Sequence, residues 1–289
     1  LVYLLISALV LVPGIYTWAR FGLKPSIDFT GGTLLEFRIH PPTGGSELRI
    51  SSDDLRQIVI DQKLEVGFIL PSGVQNYILR MKPIDNEQKS KLLSAFKDKF
   101  GDVEEIRFET VGPTLGRELL QKTFFASIIA ITAILLYVAW AFKNIRYGVS
   151  AVIALIHDLL IVISVFAILG WWKGIEVDSL FVTAILTTMS FSVHDTIVVF
   201  DRIRELTKKH SGLPYAQLIN HALTETMVRS LNNSLTIIFM LLALVLLGGD
   251  TIRWFAVALL VGTITGTYSS PFVATPILYT WYQLRDRNN

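Results

Sequence analysis

The chain has 289 residues, of which 52% are hydrophobic and 17% charged, and its mean hydropathy is +0.50. That balance excludes an ordinary soluble protein of this size and points to a polytopic α-helical membrane protein. A net charge of +2 without a Lys/Arg block excludes nucleic acid as a partner, and the lack of cysteine excludes disulfides, thiolate metal sites and thiol nucleophiles.

Six stretches approach the ~20 apolar residues needed to cross a hydrocarbon core. They run from about Leu1 to Trp18, Thr123 to Phe142, Tyr147 to Trp171, Val177 to Phe200, Ser230 to Leu247, and Ile252 to Tyr279. The first has no basic leader and no cleavage-site pattern after it, so it is expected to be a retained helix and not a signal peptide. Between it and the second lie 15 of the 26 basic and 15 of the 24 acidic residues. This composition shift predicts three regions: a transmembrane helix over 1–19, a water-soluble domain over 20–122, and helices two to six over 123–289 with a polar loop at 201–228.

Where the chain leaves the first helix stand Asp28, Gly31 and Gly32. Paired glycines accept backbone angles that other residues resist, which suits a tight turn. Thr33 to Ile39 then alternates like a strand. Ser52, Asp53 and Asp54 open a helix carrying Leu55, Ile58 and Val59. Leu64 to Leu70 and Gln75 to Met81 read as strands about the turn Pro71-Ser-Gly73. Asp85 and Gln88 form a capping box for a helix whose Leu92, Leu93, Phe96 and Phe100 share a face. Val103 to Glu109 closes the set as a strand. The order βαββαβ is the ferredoxin-like arrangement, with one sheet face under two helices. Its strand edges offer places for an extended polypeptide to add, though the fold alone fixes no activity.

Positive charge sets orientation, because Lys and Arg accumulate in short cytoplasmic connections. One side collects Lys143, Arg146, Arg202, Arg204, Lys208, Lys209, Arg285 and Arg287, and the other only Lys173 and Arg253. Both termini and the 201–228 loop are therefore expected in the cytoplasm, with the large domain in the periplasm or its equivalent.

Within the apolar segments stand His157, Asp158, His194, Asp195 and, at the start of the fifth, Arg229. A charge at such depth costs about 2.5 to 3.5 kcal/mol on insertion scales, so each is expected to have a partner and a role in proton or ion movement. Asp195 precedes Asp201 by six residues, roughly 9 Å of helix, and Arg229 enters from the same side, so a cross-helix pair is geometrically reasonable. Such a pair reads either as a protonation switch or as a static packing contact. His157 and Asp158 lie near midplane, about 100° apart around their helix, so that one faces the bundle and the other a polar neighbour. No third and fourth ligand stands near them, so no metal is expected. Asn232, Asn233 and Ser234 line a wet path or make cross-helix hydrogen bonds. Gly262 and Gly266 form a small-xxx-small packing step, and Asp201 and Arg202 brace a helix end. No nucleophilic triad, phosphate-binding glycine loop or zinc motif is present. Neither an enzyme nor a cofactor is expected.

Several of these strings, in order along the chain, resemble the SecF members of the SecD/SecF family. They are Pro25-Ser-Ile-Asp-Phe-Thr-Gly-Gly-Thr33, Val111-Gly-Pro-Thr-Leu-Gly-Arg-Glu-Leu119, His194-Asp-Thr-Ile-Val-Val-Phe-Asp-Arg-Ile-Arg-Glu205, Gly248-Gly-Asp-Thr-Ile-Arg-Trp-Phe255 and Gly266-Thr-Tyr-Ser-Ser-Pro271. The resemblance implies a membrane subunit that works with SecD beside the bacterial Sec channel. Like the resistance-nodulation-division exporters, such a pair uses the proton-motive force, here to help preproteins finish crossing the bilayer. It also implies that Asp195 and Arg229 are the intramembrane carboxylate and arginine, and that His157-Asp158 is the family's His-Asp pair. His194 stands where the family commonly has Asn. The competing reading is half of a proton-driven exporter of small solutes or lipids, which needs a second six-helix repeat that this chain does not carry.

Overall fold

The structure is a computed structural model and describes residues 2–40, 50–71, 75–210 and 212–286. In chain order the elements are α1 (Val2–Phe21), α2 (Ile27–Thr30), β1 (Gly32–His40), α3 (Ser52–Asp61), β2 (Val66–Pro71), β3 (Asn76–Met81), α4 (Asn86–Phe100), β4 (Asp102–Val111), α5 (Pro113–Phe142), α6 (Ile145–Lys173), α7 (Ser179–Lys209), α8 (Tyr215–Leu247), α9 (Asp250–Ser269), a π-turn (Ser270–Ala274) and α10 (Thr275–Asp286). They form two compact units, Pro25–Lys122 and the remainder of the chain. The helix α1 ends at Phe21, and the polar unit starts at Pro25.

In the Pro25–Lys122 unit, the described residues form four antiparallel strands in the order β2-β3-β1-β4. Alternation along β1 sends Leu35, Phe37 and Ile39 to one face, where α3 supplies Leu55, Ile58 and Val59 and α4 supplies Leu92 and Phe96. Phe37 stacks on Phe96 at 4.8 Å between centroids. The helices start where side chains satisfy free backbone donors: Ser51 Oγ accepts from Asp53 N–H, and Asp85 with Gln88 closes a capping box. Residues 72–74 of the expected Pro71-Ser-Gly73 turn lie outside the described residues.

The segment around Asp28 is more than a bare turn. Ser26 caps a single helical turn, accepting from Asp28 N–H at 3.2 Å, and Gly31 ends it with φ 72°. Gly32 follows at φ 128°, where a Cβ would approach Met81 O to 3.0 Å. Both glycines therefore have a steric reason. On β3, Arg80 lies over the Phe68 ring at 5.2 Å. Burial pushes the Arg80 guanidinium below its usual range, and the charge of Asp28 opposes that shift.

In the other unit, five helical stretches among the described residues are long and apolar enough to cross a membrane: Thr114–Phe142, Ile145–Lys173, Ser179–Lys209, Tyr215–Leu247 and Ile252–Leu284. The first expected segment forms a shorter apolar helix over Leu5–Phe21. The last is not one α-helix. Pro271 has no N–H to give and would clash with a carbonyl one turn back, and the chain responds with a π-turn in which Thr275 N–H donates to Ser270 O.

The polar loop expected at 201–228 is largely helical, since α7 runs to Lys209 and α8 starts at Tyr215. Ion pairs at helical spacing sustain α7 beyond its apolar part, Arg204–Asp201 at 2.9 Å and Lys209–Glu205 at 2.6 Å among them. Small residues set the close crossings. A Cβ on Gly14 would lie 2.1 Å from Ser164 Cβ, where α1 crosses α6, and one on Gly262 would lie 2.1 Å from Thr188 Cγ2, where α9 crosses α7. Gly266 meets Ser192 one turn further on. By contrast, the apolar stretches of α5 and α8 are almost wholly uncovered, whereas nearly half of those of α6 and α7 is buried, so α5 and α8 present bare outer faces.

Candidate functional site

Asp195 sits on the face of α7 that meets α8, with 10% of its side chain exposed. Its Oδ2 accepts from Ser230 Oγ at 2.7 Å and, more weakly, from Ser234 Oγ at 3.5 Å. Those serines lie one turn apart on α8, which puts both hydroxyls on one face. His194 Nδ1 is 3.9 Å from Asp195 Oδ1, and its ring points outward with 69% of its side chain exposed. A cavity of about 20 Å³ beside Asp195, lined also by His194, Asn233, Ser234 and Thr267, has room for one water.

The expected Asp195–Arg229 ion pair is not formed. Arg229 is exposed and makes no ion pair among the described residues. Adjacent positions on a helix differ by about 100°, so when Ser230 is aimed at Asp195 its neighbour Arg229 is turned away from that carboxylate. The guanidinium instead lines a cleft of about 650 Å³ with Asp201, Arg202, Arg204, Glu205 and Glu225. In that cleft Arg202 pairs with Glu205 and, across to α8, with Glu225. Arg204 joins Asp201 and donates to Ala141 O of α5 at 2.9 Å. Asp201 and Arg202 thus stand in an ion-pair network at the end of α7. Asn232 and Asn233 are exposed on α8, and only Ser234 of that trio is buried.

The second acidic centre is fully enclosed. Asp158 has no solvent exposure. Its Oδ1 lies 2.9 Å from His157 Nδ1, and its Oδ2 accepts from Ser192 Oγ of α7 at 2.5 Å and from Ser269 Oγ of α9 at 2.7 Å. Asp158 therefore points into the bundle, and His157 points to α1, where its Nε2 meets Ser7 Oγ at 2.9 Å. Ser7 Oγ in turn lies 3.0 Å from Tyr268 Oη. Alongside, Thr196 of α7 meets Ser270 of the π-turn at 2.9 Å. The turn thus places consecutive serine hydroxyls, Ser269 and Ser270, against α6 and α7.

Ser7, Ser192, Ser230, Ser269 and Tyr268 were not singled out in the sequence, because a hydroxyl in an apolar helix satisfies itself on its own backbone and gives no cost signal. Among the described residues no three or more His, Asp or Glu side chains gather as metal ligands.

Long apolar helices holding occluded carboxylates, with an α+β unit inserted after the first helix, define a multi-pass membrane protein. Residues 91–284 match the family described as "Protein export membrane protein SecD/SecF, C-terminal", and residues 17–42 match the "SecD/SecF GG Motif", which contains Gly31 and Gly32. "Protein translocase subunit SecF" of Thermobaculum terrenum is 41% identical over 96% of this chain and 91% of its own length. The same-named protein of Anaerolinea thermophila is 40% identical over 98% and 92%. The crystal structure of SecDF from Thermus thermophilus superposes with a TM-score of 0.80 at 32% identity, covering 96% of this chain. This chain spans 37% of that one. The chain belongs to the SecF family of protein-export membrane proteins.

Proposed function

We propose that this chain is an accessory subunit of the Sec preprotein translocase in the cytoplasmic membrane that, with SecD, uses the proton-motive force to promote late steps of translocation. Supporting this reading, its relatives carry the name translocase subunit, and one of them, SecDF, carries both names in a single chain. In this reading α1 is the sixth span, both termini are cytoplasmic, and the unit with βαββαβ order is a ferredoxin-like domain in the periplasm. The Sec channel, the translocating preprotein and the lipid bilayer are its other contacts. Its role is mechanical and not catalytic.

One observation carries the proton reading: Asp195 is enclosed in an apolar helix, and its carboxylate is held by serine hydroxyls and not by an Arg or Lys. A hydroxyl turns with the carboxyl's state, donating when Asp195 is ionised and accepting when it is protonated, whereas a guanidinium would hold it ionised. Gain and loss of one proton therefore changes what joins α7 to α8, the minimum needed to couple ion flow to shape. Arg229, in the charged cleft, stands on the route by which protons reach or leave that seam. His194, Asn233 and Ser234 line the wet pocket beside it.

The test is preprotein translocation into inverted vesicles, with and without a proton gradient, for wild type and Asp195→Asn at equal subunit and SecD levels. The gradient's benefit is expected to vanish in the mutant; an equal benefit in both would make Asp195 a packing residue.

A further inference from the structure

We propose that a cavity of about 210 Å³ bounded by α8, α9 and the π-turn is a binding site for a lipid-soluble phenol, taken in sideways from the bilayer. Binding there needs no proton movement at Asp195.

The route of entry follows from which lining residues are covered. Val199 of α7 and Thr226 of α8 are buried, and Ser230, Thr267 and Tyr268 are half-buried. Tyr3 of α1 and Met227 and Leu231 of α8 line the same space but are 41%, 38% and 43% exposed, so they mark its mouth. All three belong to apolar stretches of their helices, and the outer face of α8 is bare, so in the membrane the mouth opens on acyl chains. A charge entering by that route pays the cost of hydrocarbon, so the entrant is neutral and dissolves in lipid.

The chemistry of the ligand follows from the oxygens and rings of the wall. Thr226 Oγ1 donates to Ala222 O at 2.8 Å and Thr267 Oγ1 to Thr263 O at 2.7 Å, so both hydrogens are committed to their own helices. Ser230 Oγ is engaged with Asp195, and Tyr268 Oη with Ser7 at 3.0 Å. What the wall has left to offer is oxygen lone pairs, so the ligand has to bring a hydrogen-bond donor. Its body is set by size and by aromatic neighbours. An apolar protein cavity of about 150 Å³ takes up benzene, and this larger one admits a ring with a short substituent. Tyr3 stacks on Phe272 at 3.6 Å between centroids and lies 6.3 Å from Tyr268, so three rings border the space and favour an aromatic guest. A neutral ring with one O–H is a phenol, and a longer tail on it leaves through the mouth. Where its hydroxyl donates to Ser230, the ligand stands one hydroxyl away from Asp195.

The experiment is a ¹⁹F NMR titration of the full chain in lipid nanodiscs with 4-(trifluoromethyl)phenol, read against protein-free nanodiscs. Wild type is expected to show a saturable bound component. The methyl ether of the same ring, which has no donor, should bind about tenfold more weakly. Met227→Trp, which fills the mouth from an exposed position, should abolish the bound component, and Leu231→Trp repeats the test should the first variant not fold. Leu247→Trp, far along the same helix and 87% exposed, should bind like wild type. A cavity that holds water only would give no saturable component and overturn the proposal, as would an ether that binds as tightly as the phenol, or a folded mouth variant that binds like wild type. None of these readings depends on a proton gradient, so they stand apart from the gradient response of Asp195→Asn.

Discussion

At the scale of single residues, the two carboxylates differ in what surrounds them. Asp195 has one good donor, Ser230 at 2.7 Å, and a marginal one, Ser234 at 3.5 Å. Ser230→Ala should therefore weaken the gradient response of translocation about tenfold or more, as a lost hydrogen bond to a charged group is worth about 1.5–3 kcal/mol. Ser234→Ala should change it much less, and the two variants compared in the same vesicles check this order. Asp158 is fixed from three sides, so Asp158→Ala should cost stability on the order of 1–3 kcal/mol by removing the acceptor that His157, Ser192 and Ser269 share, read as a drop in thermal midpoint. The charged residues were legible in the sequence because each is an anomaly in an apolar run. Their partners were not. Ser7 lies 150 residues from His157, and Ser230 lies 35 from Asp195, and nothing local marks either. The facing of Arg229 is hidden for a related reason: counting residues gives height along a helix and leaves the facing direction open.

Among elements, those with a sustained period were legible. The strands and both capped helices of the Pro25–Lys122 unit fall close to where alternation and capping residues put them. The α2 turn has only four residues, too few for any period, and only Ser26 and Gly31 mark its ends. The π-turn was hidden because a proline in an apolar run predicts a break or kink and does not say which carbonyl will take over. Close crossings give the prediction at this scale. Gly14→Ala brings a methyl to 2.1 Å from Ser164 Cβ and 2.7 Å from its Cα, so α1 must move off α6. A loss of about 1–3 kcal/mol is expected from such overpacking, seen as a lower thermal midpoint. Ala at the exposed neighbouring Ile15 serves as the control, with little effect.

For the molecule as a whole, hydropathy and charge bias were enough to read a multi-pass membrane protein with one inserted polar domain. What the chain could not announce is which part of its surface a partner would cover. The outer face of α8 carries Asn232, Asn233 and Thr236, and α7 adds the outward ring of His194, all on helices otherwise suited to hydrocarbon. Lipid tails offer amide and imidazole groups no hydrogen-bond partner. Expressed without SecD, the chain should have a half-life several-fold shorter than when co-expressed, measured by pulse-chase in the same cells, and equal half-lives would argue that the stripe is covered by copies of itself. If the difference holds, membrane proteases would remove any unmatched subunit. The cell would then keep the two subunits in proportion through the chemistry of that uncovered stripe, without a separate regulator.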